Sequence, residues 1–352
     1  MTKKLHRMQL PREVVVGDKT LGLLLDTCEK LGLSESAFVI TGPDTYRIAG
    51  KDAVDLLNDG GINTDYMIAS SSTMWGVRAA EERIDELKPQ VVLGIGGGTK
   101  IDVAKLSSFH KNVPFISVPT TASHDGIASP VASVKGLSKP YSIMAHSPMA
   151  IIADTNVIIQ SSYRLVASGC GDVLSKFTSV SDWKLAHEVE NEYYGDYAAS
   201  LALMSARLVV RNAEVISSGE EEGVRVLLEA LISCGVAMSI AGSSRPCSGS
   251  EHQFSHTLDL IAPQPAMHGE QCGVGAIMMA YLHKLDWKQI KATLHKVRAP
   301  TTAEGLGIEP ELVIQALVKA QSVRPERYTI LSEKELDFES AEKLARVTGV
   351  IE

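Results

Sequence analysis

At 352 residues, with 45% hydrophobic and 22% charged side chains, the chain has the length of roughly two ordinary globular domains, and its composition excludes a disordered or collagen-like polymer. Lys+Arg 34 against Asp+Glu 42 leaves a formal net charge of −8, which repels polyphosphate and argues against nucleic acid or an anionic membrane as the main partner; a small anion needs only a local basic site. The lack of an uninterrupted apolar run of about 18 residues argues against membrane insertion.

The first residues carry Lys3, Lys4 and Arg7 with no apolar stretch behind them, so no secretory signal is expected and the cytoplasm is the default compartment. Cys28, Cys170, Cys234, Cys247 and Cys272 are odd in number, scattered and free of C-x-x-C spacing. That pattern suits a reducing compartment and neither a disulfide framework nor a Cys-rich zinc module.

Short β-branched runs then alternate with helical patterns. Strands are predicted at residues 37–41, 66–69, 91–93 and 115–118, and Val77, Ala80, Ile84 and Leu87 mark the apolar face of an amphipathic helix. Such alternation predicts βαβ units on a parallel sheet. Beyond about residue 160 the texture becomes helical, with long stretches predicted over residues 197–216 and 220–241 and breaks such as 242–246. The expected fold is therefore α/β: an N-terminal Rossmann-like parallel-sheet domain over 1–158 that binds a dinucleotide, then an all-helical metal- and substrate-binding domain over 159–352. No long linker intervenes, and a ligand cleft between closely packed domains is expected.

The first chemical signal is Gly94-Ile95-Gly96-Gly97-Gly98-Thr99-Lys100-Ile101-Asp102, a strand running through glycines into a helix. Bare glycine backbone beside a helix N-terminus makes a pyrophosphate cradle, although Thr99 stands where a strict G-x-G-x-x-G would place its third glycine, and a glycine turn without a ligand has the same look. After the next strand comes Pro119-Thr120-Thr121-Ala122-Ser123-His124-Asp125-Gly126, a polar run at the edge where doubly wound folds bind ligands. A merely solvated loop is also polar, and His124 and Asp125 read equally as turn residues.

The second signal is His252 and His256, four apart on one helix face, followed after a proline break by His268. Three histidines within seventeen residues suit a metal, and imidazole with a carboxylate favours Zn²⁺ or Fe²⁺ over Mg²⁺. The spacing alone permits His252 and His256 both to ligate. Asp172, in Gly169-Cys170-Gly171-Asp172, is a candidate carboxylate with an equal reading as the N-cap of a helix over 173–184.

Taken together, GIGGGTKID, GCGD, EHQFSH and HGE resemble the metal-dependent polyol dehydrogenase superfamily that includes glycerol dehydrogenase and, more distantly, dehydroquinate synthase. Within it, VPTTASHDGIASP, the Asp182-Trp183 pair and SSRPCSGSEHQFSH are similar to the archaeal-type sn-glycerol-1-phosphate dehydrogenase family, in the right order over nearly the whole chain. The resemblance implies that Asp172, His252 and His268 hold Zn²⁺, and that His256 lies beside substrate and nicotinamide. It further implies that Asp125 touches substrate, and that Gly96, Gly97, Gly98, Thr99, Lys100, Asp102, Thr120, Thr121, Ser123 and Ser129 contact NAD(P)H.

Glycerol dehydrogenases carry an acid where this chain has Gly42, so with Arg47 nearby the 2′-phosphate of NADP(H) should be accepted, while Asp44 keeps NAD(H) open. The implied reaction reduces dihydroxyacetone phosphate to sn-glycerol 1-phosphate for archaeal-type phospholipid backbones, with His256 or Asp125 among the proton relays. Arg245, at the break before the histidine helix, is the first candidate for the substrate phosphate and Lys176 the second. The alternatives are a dehydrogenase of unphosphorylated polyols, a dehydroquinate-synthase-like lyase and a non-enzymatic nucleotide-binding protein. The expected partner is a small phosphorylated ketone, and a homo-oligomer is the default assembly.

Overall fold

The computed structural model describes residues 6, 8–134 and 141–352, so Lys3, Lys4 and Arg7 lie outside the described residues. The chain forms two compact units, residues 1–162 and 163–352; the expected boundary after residue 158 falls inside the short helix Thr155–Ile159.

In the first unit the strands are β1 (Glu13–Gly17), β2 (Ser36–Thr41), β3 (Asn63–Ile68), β4 (Val91–Gly96), β5 (Phe115–Pro119), β6 (Val131–Val134), β7 (Tyr141–Met144) and β8 (Ala150–Asp154). Six of them make a parallel sheet in the order β1-β8-β5-β4-β2-β3, while β6 and β7 pair as a separate antiparallel ribbon. The central strands are buried along nearly their whole length, as near-continuous apolar sequences in covered parallel sheets require. Leu24, Val39, Leu57, Leu93, Ile116 and Ile152 belong to one core cluster.

Edge strands were the harder reading. β3 begins three residues before the expected run because Asn63, Thr64 and Asp65 at its start are polar and at least partly exposed, and β1, β8 and the β6–β7 ribbon were not expected at all. Helix α1 (Met74–Leu87) buries Val77, Ala80 and Ile84, and its N-cap Thr73 accepts the Gly76 N–H. Helix α2 (Gly98–His110) leaves directly from the β4 glycines.

No strand occurs among the described residues of the second unit. Its long helices are α3 (Tyr163–Leu174), α4 (Lys176–Glu190), α5 (Asp196–Arg211), α6 (Glu221–Ala241), α7 (Ser250–Ile261), α8 (His268–Leu282) and α9 (Pro310–Val323). The helix predicted over 197–216 ends at Asn212 and restarts as the short Ala213–Ser217. By length and composition α6, although interrupted by Arg225 and Glu229, could cross a membrane, but 72% of that window is buried within the protein, as a core helix would be.

Asp172 is not an N-cap. It sits in the last turn of α3, and the next helix begins at Lys176. Its flanking glycine serves packing instead: a β-carbon at Gly171 would lie 2.2 Å from the Gly269 carbonyl, and one at Gly269 would lie 2.0 Å from the Ser168 carbonyl. Only bare backbone lets α3 and α8 approach this closely, which sets Asp172 beside the start of α8.

Candidate active site

In the first unit, parallel register aligns the strand exits. Thr41 faces Ile95, and Gly96 faces Pro119, so Gly42, Gly97 and Thr120 leave the sheet side by side at its carboxyl edge. Gly96 adopts φ +153, Gly97 caps α2 in extended conformation, and Gly98 opens the helix. A β-carbon on Gly98 would lie 1.9 Å from His124 Nε2, so the imidazole stands over the helix N-terminus. The Thr120 and Thr121 hydroxyls are buried and make no hydrogen bond, and buried polar atoms of that kind call for a partner. Bare backbone, a helix N-terminus and two unsatisfied hydroxyls at one sheet edge fit a dinucleotide.

Other residues implied for that site are committed to the fold. Asp102 is almost fully buried, lies 3.3 Å from Lys105 Nζ and accepts the Ser133 N–H at 3.1 Å. Lys105, missed in the sequence reading, also donates to the Gly126 and Val131 carbonyls at 2.8 and 2.7 Å and so braces the loop that carries His124 and Asp125. Asp125 opens a short 3₁₀ turn whose carbonyl accepts from Ala128 and Ser129, and Ser123 lies just before it. The Ser129 hydroxyl donates to the Val131 carbonyl. Asp44 and Arg47 pair on the surface, Thr99 is exposed, and Lys100 donates to the Ser70 carbonyl at 3.0 Å. The Lys100 stem fills the space above Gly42, where a β-carbon would meet its Cε at 2.6 Å.

The second unit gathers the other donors. His252 Nε2 lies 3.8 Å from Asp172 Oδ1, and the His252 and His268 rings are 4.9 Å apart. His252, His268 and Cys272 each offer a ligand atom within 4.8 Å of the others, and Cys272 Sγ is 3.6 Å from His268 Nε2. Bonds of about 2.0–2.3 Å at tetrahedral angles separate ligand atoms by roughly 3.3–3.6 Å, so a modest contraction would let this nitrogen, oxygen and sulfur set hold a borderline-soft ion such as Zn²⁺ or Fe²⁺. Burial and the nearby positive charges hold the His252 pKa well below its ordinary value, leaving a neutral ring with a lone pair to give.

His256 stands at the edge of this set. Its ring is 5.9 Å from that of His268 and 6.4 Å from that of His252; its buried Nδ1 has no hydrogen bond and lies 3.9 Å from Asp259 Oδ2.

Carboxylates behind the donors escaped sequence reasoning. Glu251 is fully buried, accepts the Gly249 N–H and the Thr178 hydroxyl, and lies 2.8 Å from His252 Nδ1. Burial, then the Asp182 charge, raises its pKa to about 7. A carboxylate there fixes the histidine tautomer with Nε2 free. Asp182 accepts the Ser250 N–H and hydroxyl, both at 2.6 Å, and the Ile330 N–H at 2.7 Å, and lies 2.8 Å from His283 Nε2, so it pins the first turn of α7. Adjacency to His252 was the only signal for Glu251.

Both basic candidates for the phosphate are already engaged. Arg245 spends its three guanidinium nitrogens on Glu192 and the Tyr328 carbonyl. Lys176 is fully buried and donates to Asp172 Oδ1 at 2.7 Å and to the Cys247 carbonyl at 3.2 Å.

A parallel-sheet nucleotide unit followed by a helical unit of histidine and carboxylate donors defines the class of metal-dependent alcohol dehydrogenases. The iron-containing alcohol dehydrogenase family matches at residues 15–161. Glycerol dehydrogenase from Schizosaccharomyces pombe superposes with a TM-score of 0.80 at 19% identity, covering 98% of this chain and 91% of that one. Sulfoacetaldehyde reductase from Bifidobacterium kashiwanohense, solved with NAD+, gives 0.77 at 18%, covering 99% and 100%. At that identity the likeness concerns the fold.

Among sequence relatives, glycerol-1-phosphate dehydrogenase (NAD(P)+) of Thermococcus kodakarensis is 52% identical over 351 residues, covering 100% of both chains. The enzyme so named from Methanothermobacter thermautotrophicus is 50% identical over 349 residues, covering 98% of this chain and 99% of its own. The chain belongs to the glycerol-1-phosphate dehydrogenase family.

Proposed function

We propose that this chain reduces dihydroxyacetone phosphate with NAD(P)H and a proton, giving sn-glycerol 1-phosphate and NAD(P)+, as a step toward archaeal-type phospholipid backbones in the cytoplasm. The observation that carries this reading is identity of 50–52% over the whole length to glycerol-1-phosphate dehydrogenases. The buried Asp172 and His252 donors, with the half-buried His268, support it. When bound, Zn²⁺ supplies Lewis-acid polarisation of a carbonyl and the nicotinamide supplies the hydride.

The chain's own part is to hold and orient. Asp172, His252 and His268 hold the ion, with Glu251 fixing the His252 ring. Thr120, Thr121 and the glycine backbone take the dinucleotide. His256, buried and with an unbonded Nδ1, passes a proton to the new hydroxyl, and Asp125 orients the substrate.

The test follows NADH and NADPH oxidation with dihydroxyacetone phosphate and with dihydroxyacetone, then determines the configuration of the product. Faster reduction of the phosphorylated ketone to the sn-1 product is expected. Preference for the unphosphorylated ketone would make this a polyol dehydrogenase.

A further inference from the structure

Three arginines gather in the second unit, and they are not equivalent. Arg245 is spent on Glu192 and the Tyr328 carbonyl. Arg327 donates to the Ser248 carbonyl at 2.5 Å and the Ser244 hydroxyl at 2.8 Å. Arg324 is half-buried, yet among the described residues its guanidinium makes no hydrogen bond and no salt bridge.

Its backbone is nevertheless fixed. Arg324 caps the end of α9, and both its carbonyl and that of Arg327 accept from Gln253 Nε2 at 3.3 Å. Gln253 follows His252 in α7, so the loop is strapped to the helix that carries the metal donor.

The cluster carries surplus positive charge. Glu192 is taken by Arg245, and Glu251 is occupied by Thr178, Gly249 and His252. Glu326, the carboxylate that bears on Arg324, is exposed. Burial, with Arg324 and Arg245 beside it, pushes the Arg327 pKa down to about 9. Like charges held together in a partly desolvated place cost stability, and a bound anion relieves that cost.

We infer that Arg324 takes the phosphate of the substrate, while Arg327 holds the loop that presents it. A phosphomonoester dianion fits the fork of a guanidinium with no other partner, and a compact ammonium would meet it as a point charge. The inference rests on the phosphorylated-ketone reading above.

The test compares the wild-type holoenzyme with Arg324→Ala and Arg324→Lys, using dihydroxyacetone phosphate, dihydroxyacetone, and inorganic phosphate as an inhibitor of dihydroxyacetone reduction. Losing the contact should raise KM for the phosphorylated ketone about ten- to hundredfold in the alanine variant, with a smaller rise in the lysine variant. Inhibition by phosphate should weaken by a similar factor in each. Because the Arg324 guanidinium makes no hydrogen bond among the described residues, the alanine variant leaves no partner unsatisfied, and thermal melts check that both variants fold. A wild-type enzyme that prefers the phosphorylated ketone, alongside a folded variant with unchanged KM and unchanged phosphate inhibition, overturns this inference alone. A wild-type enzyme without that preference overturns the functional reading, and this inference with it.

Discussion

The two units build their sites from different materials. At the sheet edge the working parts are backbone and small hydroxyls: Gly96, Gly97 and Gly98 at the mouth of α2, with Thr120 and Thr121 unsatisfied beside them. In the helical unit they are polar side chains held by others: His252 by Glu251, the first turn of α7 by Asp182, Asp172 by Lys176. A backbone site tolerates change in everything except the space it leaves open. A side-chain site depends on a chain of supports, so damage at a support reaches the donor.

The largest effect should follow loss of a donor. His252→Ala or His268→Ala is expected to abolish bound metal and lower kcat/KM at least a thousandfold, whereas His256→Ala should keep its metal and turn over more slowly. Metal analysis of the three purified variants checks this, and a metal-free His256→Ala protein would break the distinction. Next comes the support: Glu251→Gln removes the charge behind His252 Nδ1 and should weaken metal affinity about ten- to hundredfold, measured by competition with a chelator. Unchanged retention would mean that the donors stand without their supports.

At the backbone site, Gly98→Ala has to push the His124 imidazole aside, since the new carbon would lie 1.9 Å from Nε2. Nicotinamide nucleotide affinity should fall roughly tenfold, read by quenching of protein fluorescence, with metal content untouched. Lost metal in that variant would show the two sites to be coupled.

The smallest effect is one of pH. His146 packs against Phe115 and lies 2.9 Å from the Ser108 hydroxyl, and burial, then the Lys105 charge, lowers its pKa to about 4. The unfolded chain then takes up this proton below about 6.5 and the folded protein only near 4, so the contribution is complete above 6.5 and fades as pH falls through that window. Between pH 7 and 5 it should cost about 2 kcal/mol. Melting curves of the wild type should therefore fall more steeply with acid than those of His146→Gln, and parallel curves would refute the assignment.

The same contrast explains what the sequence made legible. The glycine cradle is local, because strand, turn and helix follow one another within residues 91–110. The histidine set was visible because His252 and His256 share a helix face, and His268 opens α8 only seven residues after α7 ends. The supports are not local. Asp182 is 68 residues from Ser250 and 148 from Ile330, and nothing in the sequence couples them. Nearness in sequence also did not reveal that Arg245 is already engaged. Its guanidinium binds Glu192, 53 residues away, while the guanidinium of Arg324, 72 residues after His252, has no hydrogen-bond partner among the described residues. The N-cap alternative for Asp172 fails for a related reason: the glycine beside it lets two helices touch and does not open a helix.

The reach of Asp182 also orders events in time. A ribosome delivers Asp172, His252 and His268 well before Thr329, which donates to Gln253 Oε1 at 2.8 Å, and Ile330, whose N–H completes the shell of Asp182. Until that C-terminal segment emerges, α7 lacks two of its tethers, and closing a loop of this length costs chain entropy that only the finished unit recovers. The turn of α7 that carries His252 and Gln253 is therefore held in part by a segment that folds onto it from far along the chain.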